Sequence, residues 1–221
     1  MRAATVRDVV LVGLTFASGA ADAIAFLGLQ KVFSAFMTGN LVFLGLAAAG
    51  SGQPDLQRVI PALVAFAGGV FLATRIVKPT RGSGLWPRRV TLALCVAALA
   101  EAAFLVGWLA AAGEPSQAVG DVLIALSALA FGIQSAAVMS LDVKGVFTTA
   151  ATATVIMLMG GEAGRRRANV ERRRLTAIIA GLFAGAAAGT LLVLHARVYA
   201  PLVPLAATLA AVSAASFALS E

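Results

Sequence analysis

Residues 9–49 read VVLVGLTFASGAADAIAFLGLQKVFSAFMTGNLVFLGLAAA, an apolar stretch interrupted by Asp22, Lys31 and the triplet Thr38-Gly39-Asn40. A continuous helix of this length would measure about 60 Å. A single bilayer crossing needs only about half of that length. The surplus predicts a full membrane helix followed by a re-entrant loop and a short half-helix. Such non-helical backbone is tolerated at membrane depth only where protein or a water-filled cavity surrounds it.

The composition indicates a protein embedded in a membrane. Of the 221 residues, 60% are hydrophobic and 12% are charged, and the mean hydropathy is +0.94. Soluble domains average about 25% charged residues. The formal charge of +7 does not indicate nucleic-acid binding, because the basic residues fall between apolar runs, where membrane topology places them. These runs span approximately 9–29, 32–49, 59–77, 90–112, 119–140, 146–160, 175–195 and 199–219.

The basic residues predict which loops face the cytoplasm. They crowd the N-terminus, the loop after the third run and the loop after the sixth, within residues 2–7, 75–89 and 165–174. Eight simple crossings would place the first two clusters on opposite sides of the membrane. The conflict disappears if runs one and two together cross once, and if runs five and six do the same. Six net crossings result, with both termini cytoplasmic in a bacterial inner membrane.

The two halves of the chain, residues 1–112 and 113–221, repeat one another weakly. Each half crosses the membrane an odd number of times, so the two repeats are inverted. The predicted fold is a single all-α, polytopic membrane domain with a 3+3 inverted repeat, six net crossings and two re-entrant or half-helix segments. Many transporters bind their substrate where such repeats meet. The matched positions are Gly19 and Gly132, Asp22 and Ser135, Lys31 and Lys144, Phe33 and Phe147, and Thr38-Gly39-Asn40 and Thr152-Ala153-Thr154.

Polar residues within the apolar runs are the candidate pathway residues, because ionisable groups at membrane depth are costly and mark substrate or proton routes. Asp22 and Glu101 have this placement, although each would also suit a hydrogen bond between packed helices. Thr38 is expected to cap a half-helix whose free N–H groups favour an anion or a polar solute, or else to mark a polar kink. The predicted pathway residues are Asp22, Thr38, Gly39, Asn40, Glu101, Gln134, Ser135, Thr152 and Thr154.

Other features concern partners and the membrane surface. Lys31 and Lys144 either attract anions at the two mouths of a pathway or reach to the interface as anchors. The stripe Gly181-x3-Gly185-x3-Gly189 allows another helix to approach closely. We expect that helix to belong to the same chain, although the stripe would also suit a homodimer. The basic loops are expected to contact anionic lipids in addition to setting topology.

Enzyme chemistry has little support. His195 is the single histidine and lies at the end of an apolar run, and no Gly-x-Ser-x-Gly motif occurs. Cys95 is the single cysteine, so a metal site built from cysteines is excluded. We expect its thiol to be buried. We therefore expect no catalytic residue, no metal and no cofactor.

The stretch Ser18-Gly19-Ala20-Ala21-Asp22-Ala23, with Phe26, Gly28, Phe33 and Met37-Thr38-Gly39-Asn40, resembles the YoaK-like family of bacterial membrane proteins, whose function is unknown. Gly132-Ile133-Gln134-Ser135-Ala136 is similar to the second-half signature of that family, although Ala153 stands where its pattern leads us to expect glycine. The resemblance implies a multi-pass inner-membrane protein and brings no established substrate.

The leading functional hypothesis is a small-solute transporter or channel with a central site between the repeats. Asp22 would bind a proton or a group of the substrate, and the Thr-Gly-Asn and Thr-Ala-Thr triplets would line the site. The alternative is a non-transporting scaffold or assembly factor, in which the same polar residues serve helix packing.

Overall fold

The computed structural model describes residues 2–51, 56–77, 84–143, 151–159 and 165–219, and these residues contain helices and loops but no strand. A 3-10 turn, Arg197–Tyr199, precedes the last helix. The α-helices within the described ranges are α1 Arg2–Gly28, α2 Met37–Ala48, α3 Leu56–Val77, α4 Arg88–Ala110, α5 Gln117–Met139, α6 Ala151–Met159, α7 Arg165–His195 and α8 Leu202–Ala218.

Six of these helices are long and apolar enough to cross a membrane, namely α1, α3, α4, α5, α7 and α8. The other two are short: α2 has 12 residues and α6 has 9, against the roughly 20 that a crossing needs. The second apolar run therefore forms a half-length helix, the described part of the sixth run is also short, and the prediction of an all-α polytopic membrane fold is confirmed. Lys144 and Phe147 lie outside the described residues.

Two groups of buried apolar side chains show which helix ends lie together. Val10, Val77, Val90 and Ile178 belong to one group, so the starts of α1, α4 and α7 meet the end of α3. The described arginines of the three basic clusters, such as Arg7, Arg88 and Arg172, therefore lie toward one end of the bundle, as six crossings require. The second group lies toward the other end and includes Leu29, Val59, Leu123 and Ala200.

The first helix of each half packs against a helix of the other half through glycines that touch the facing backbone. Small residues allow backbones to approach this closely. The predicted internal packing of the glycine stripe on α7 is confirmed, because its partner is α1 of the same chain. A Cβ atom would overlap a facing carbonyl oxygen at four matched positions: Gly19 against Leu182, Gly132 against Phe66, Gly185 against Phe16, and Gly69 against Leu129.

Helices α1 and α5 run in opposite directions where they meet. Gln134 Nε2 donates a hydrogen bond to the Leu14 carbonyl at 3.1 Å. Ala21, further along α1, lines the same cavity as Ser127, which comes earlier on α5. The two first helices are therefore antiparallel, which is the arrangement that an odd number of crossings in each half produces.

Candidate functional site

The loop between α1 and α2, residues 29–36, folds back alongside α1, and we call it the returning loop. Asp22 Oδ1 accepts the N–H groups of Ala35 at 2.7 Å and Phe36 at 3.3 Å, although Asp22 precedes the end of α1 by more than one turn. Ser127 Oγ donates to Ser34 Oγ at 2.7 Å, and Ser127 lies near the middle of α5. The returning loop thus reaches the mid-level of a helix that is long enough to span the membrane.

Asp22 supplies an internal hydrogen-bond acceptor where α2 begins. The N-terminal end of a helix carries a partial positive charge and favours a negative group. Helix α2 begins at Met37, with Phe36 as the N-cap and no side-chain capping bond, so the prediction that Thr38 caps it is wrong. Thr38 lies in the first turn and is exposed. Because the Asp22 carboxyl oxygen accepts the amides that lead into α2, it occupies the place that we had expected for an external anion.

Asn40 and Gly39 shape the same loop from the other side. Asn40 Oδ1 accepts the Phe33 N–H at 2.9 Å, and Asn40 Nδ2 donates to the Phe33 carbonyl at 2.8 Å. A Cβ on Gly39 would lie 2.6 Å from the Phe36 ring. Phe33 also stacks on Phe26 with a centroid distance of 5.1 Å. Both polar atoms of Asn40 are therefore engaged in closing the returning loop.

A small cavity lies between α1, α4, α5 and α8. Its volume is about 10 Å³, counted as space open to the centre of a water molecule, which is close to what one water requires. Glu101 Oε1 accepts a hydrogen bond from Thr208 Oγ1 at 2.9 Å. Its Oε2 is buried and has no hydrogen-bond partner in the described part of the chain. The lining residues are Ala21, Ile24, Glu101, Phe104, Ser127, Phe131, Pro201 and Pro204.

The other predicted pathway residues are not among those that line this cavity. Gln134 bonds to the backbone of α1, and Ser135 Oγ donates to a carbonyl of its own helix at 2.6 Å. Thr152 is exposed on α6, whereas Thr154 is buried. Lys31 is exposed and has a φ of 65°. Glu101 is thus the one predicted residue that the structure places at the cavity.

Comparisons with known proteins found one family and one curated relative. The family described as Protein of unknown function (DUF1275) matches residues 10–215. The chain belongs to this family. The match spans the returning loop, Glu101 and Thr208, so the DUF1275 region contains every element of the cavity.

One relative of this DUF1275 chain is the UPF0700 transmembrane protein YoaK of Bacillus subtilis (strain 168). The two are 36% identical over 165 residues, which cover 75% of this chain and 71% of the relative. The YoaK-like membrane family expected from the Asp22 and Thr-Gly-Asn motifs is therefore confirmed. No solved structure matches the chain.

Three polar residues near the cavity of this DUF1275 protein were not among the predicted ones: Ser34, Ser127 and Thr208. Ser127 shares a helix face with Gln134 and Ser135 by its spacing, so the sequence did carry a signal for it. Ser34 and Thr208 are isolated hydroxyls in apolar runs and carry no comparable signal. Their role becomes apparent only through their partners Ser127 and Glu101.

The histidine, the cysteine and the acidic residues were also compared with what a metal site requires. Within the described ranges, no group of three or more His, Cys, Asp or Glu side chains could hold a metal ion. Cys95 is exposed on the outer face of α4, contrary to the expectation that it is buried. His195 Nδ1 lies 2.9 Å from the Leu191 carbonyl at the end of α7.

Proposed function

We propose that this protein is a small-solute transporter or channel whose pathway passes the Glu101 cavity. The observation that carries the proposal is a carboxyl group only 4% exposed, near the middle of a membrane-length helix, with one oxygen unpartnered in the described chain. Ionisable residues at this depth mark substrate or ion pathways. Helices of different parts of the chain meet at the cavity, which is where transporters of the repeat type bind their substrates.

We further propose that residues 1–112 and 113–221 act as inverted repeats. The antiparallel α1 and α5 and the matched glycine contacts support this division. Because α1 packs tightly on α7, and α3 on α5, each pair combines helices from both halves. Alternating access would then arise from the α1–α7 pair rocking against the α3–α5 pair.

The proposed setting is a bacterial inner membrane with the basic end of the bundle in the cytoplasm. Arg88 and Arg89 are exposed at the start of α4. The Arg75 guanidinium lies 4.6 Å from the centre of the Phe71 ring, so its charge is held at the edge of an apolar surface. This pattern suits anionic lipid headgroups, which attract arginines next to membrane helices.

Flux in proteoliposomes tests the proposal. We expect at least one solute from a panel of organic amines, monocarboxylates and neutral polyols to enter vesicles containing the wild-type protein. Glu101→Gln should lower that flux about tenfold or more, because it alters the pathway carboxyl while retaining its size. Glu114→Gln is the matched control, since Glu114 is exposed in a loop. If no solute of the panel moves, or if both variants transport equally, the proposal is wrong.

The scaffold alternative has an observation of its own. Asp22 and Asn40, two of the predicted pathway residues, direct their polar atoms to the returning loop, as packing residues would. A scaffold would leave the vesicles impermeable to the whole panel. It would instead present the basic end, with exposed Arg172 and Arg173, to a partner, and Ala at both positions would then remove a co-purifying protein.

A further inference from the structure

Two hydrogen-bonded pairs face the cavity from different helices. On one side, Thr208 of α8 donates to Glu101 of α4. On another side, Ser127 of α5 donates to Ser34 of the returning loop. Glu101 and Ser127 both line the cavity, so the cavity separates the Thr208–Glu101 pair from the Ser127–Ser34 pair.

Counting donors and acceptors defines what would join the two pairs. Glu101 Oε1 already accepts from Thr208, whereas Oε2 has no partner in the described chain. Ser127 Oγ and Ser34 Oγ share one hydrogen bond, and when Ser127 donates it, the Ser127 oxygen keeps lone pairs that can accept. Two acceptors across a space of about one water match the two hydrogens of a water molecule.

We propose that Glu101 is a proton-binding group and that one water in the cavity connects its Oε2 to Ser127. This inference rests on the proposed function and deepens it by naming the proton as the ion that the central site binds. With Glu101 ionised, the water donates to Oε2 and to Ser127 Oγ. With Glu101 protonated, its O–H donates to the water oxygen, and the water still donates to Ser127.

The surroundings favour a proton over a metal cation. The remaining lining residues are apolar, including Ile24, Phe104 and Phe131, and offer no side-chain oxygen to replace a hydration shell. Glu101 is the one ionisable residue that lines the cavity. No ionisable residue occurs in α8, Leu202–Ala218. The charged groups on the other elements packed around α4 are not among the lining residues. Asp22 accepts hydrogen bonds from the returning loop, and Arg197 donates one to the Gly113 carbonyl. Asp121 lies 3.5 Å from Arg58, and Arg75 is near the end of α3.

Infrared difference spectroscopy of the full-length protein in lipid tests the inference directly. On acidification we expect the carbonyl stretch of a protonated carboxylic acid, and this band should be lost in Glu101→Gln. Ser127→Ala should shift the frequency of the band, because it removes one partner of the connecting water. The band should persist unshifted in Glu114→Gln, whose site is an exposed loop.

Each outcome has a definite meaning. A band that survives Glu101→Gln and disappears in Asp22→Asn assigns the proton to Asp22 and overturns the inference. A Glu101 band that Ser127→Ala leaves unshifted overturns the water link. If Glu101→Gln does not fold, Thr208→Val must shift the band, since Thr208 binds Oε1, and an unshifted band contradicts the assignment. A Glu101 band without any solute flux would refute the transport proposal alone, and flux without the band would refute the proton site alone.

Discussion

Alanine at Gly185 is expected to prevent stable assembly of the bundle, whereas alanine at Gly13 is expected to leave it intact. A Cβ on Gly185 would overlap the Phe16 carbonyl, and backbone cannot rotate away as a side chain can. The two helices would have to separate, and overpacking costs about 1–3 kcal/mol or more. Gly13 is on α1, and no atom lies within 4 Å of a Cβ built there, so alanine at that position gains up to about 1 kcal/mol of helix propensity.

Thermal unfolding in detergent, followed by size-exclusion chromatography, measures this difference. Gly69→Ala should match Gly185→Ala, because its Cβ would meet the Leu129 carbonyl in the α3–α5 pair. Gly45→Ala is a second control, since nothing lies within 4 Å of its Cβ position. If Gly185→Ala and Gly69→Ala unfold at the wild-type temperature, the close packing of these two helix pairs is incorrect.

Replacing Asp22 by alanine is expected to release the returning loop. The substitution leaves the N–H groups of Ala35 and Phe36 without the acceptor that they now share. The Ala35 N–H belongs to a buried residue, and a buried donor left unsatisfied costs about 1–3 kcal/mol. Ser34 is fully buried in the folded protein, so a cysteine at that position in a Cys95→Ala background reports on the loop. We expect it to resist a membrane-permeant maleimide when Asp22 is present and to react rapidly in Asp22→Ala.

Asparagine at position 22 tests the hydrogen-bond acceptor for the Ala35 and Phe36 amides separately from the acidic group of Asp22. Asp22→Asn keeps an oxygen that can accept the same amides, so the cysteine at position 34 should stay protected. Asp142→Asn is the charge-matched control, because Asp142 is exposed and its φ of 49° suits asparagine. Protection of the cysteine in Asp22→Ala would show that the returning loop is held by something other than Asp22.

The six long helices could be predicted from the sequence because charge is costly within lipid. Arg7, Arg75 and Arg173 belong to clusters that cannot be distributed over both faces without contradicting the positive-inside rule. That constraint reduced runs one and two to a single net crossing, and the 12-residue α2 agrees with it. Glu101 could also be singled out from the sequence as a candidate pathway residue, because an ionisable group in the middle of a long apolar run is costly at membrane depth.

The partners of these residues could not be predicted, because they depend on tertiary contacts. Thr38 has a good capping residue's chemistry, yet Asp22 reaches the amides before α2 from another helix and makes a Thr38 cap unnecessary. Ser34 and Ser127 are far apart in sequence, and neither residue type specifies a partner. The matched glycine contacts likewise require knowledge of which helices pair across the two halves.

Disulfide trapping between positions 34 and 127 tests most directly whether the returning loop reaches the middle of the bundle. The two hydroxyl oxygens are 2.7 Å apart, which brings the Cβ atoms close to disulfide reach. In a Cys95→Ala background, Ser34→Cys with Ser127→Cys should cross-link under mild oxidation, and Ser34→Cys with Ser116→Cys, at the start of α5, should not. Cross-linking to position 116 in place of 127 would put the loop at the end of the bundle and contradict the re-entrant architecture.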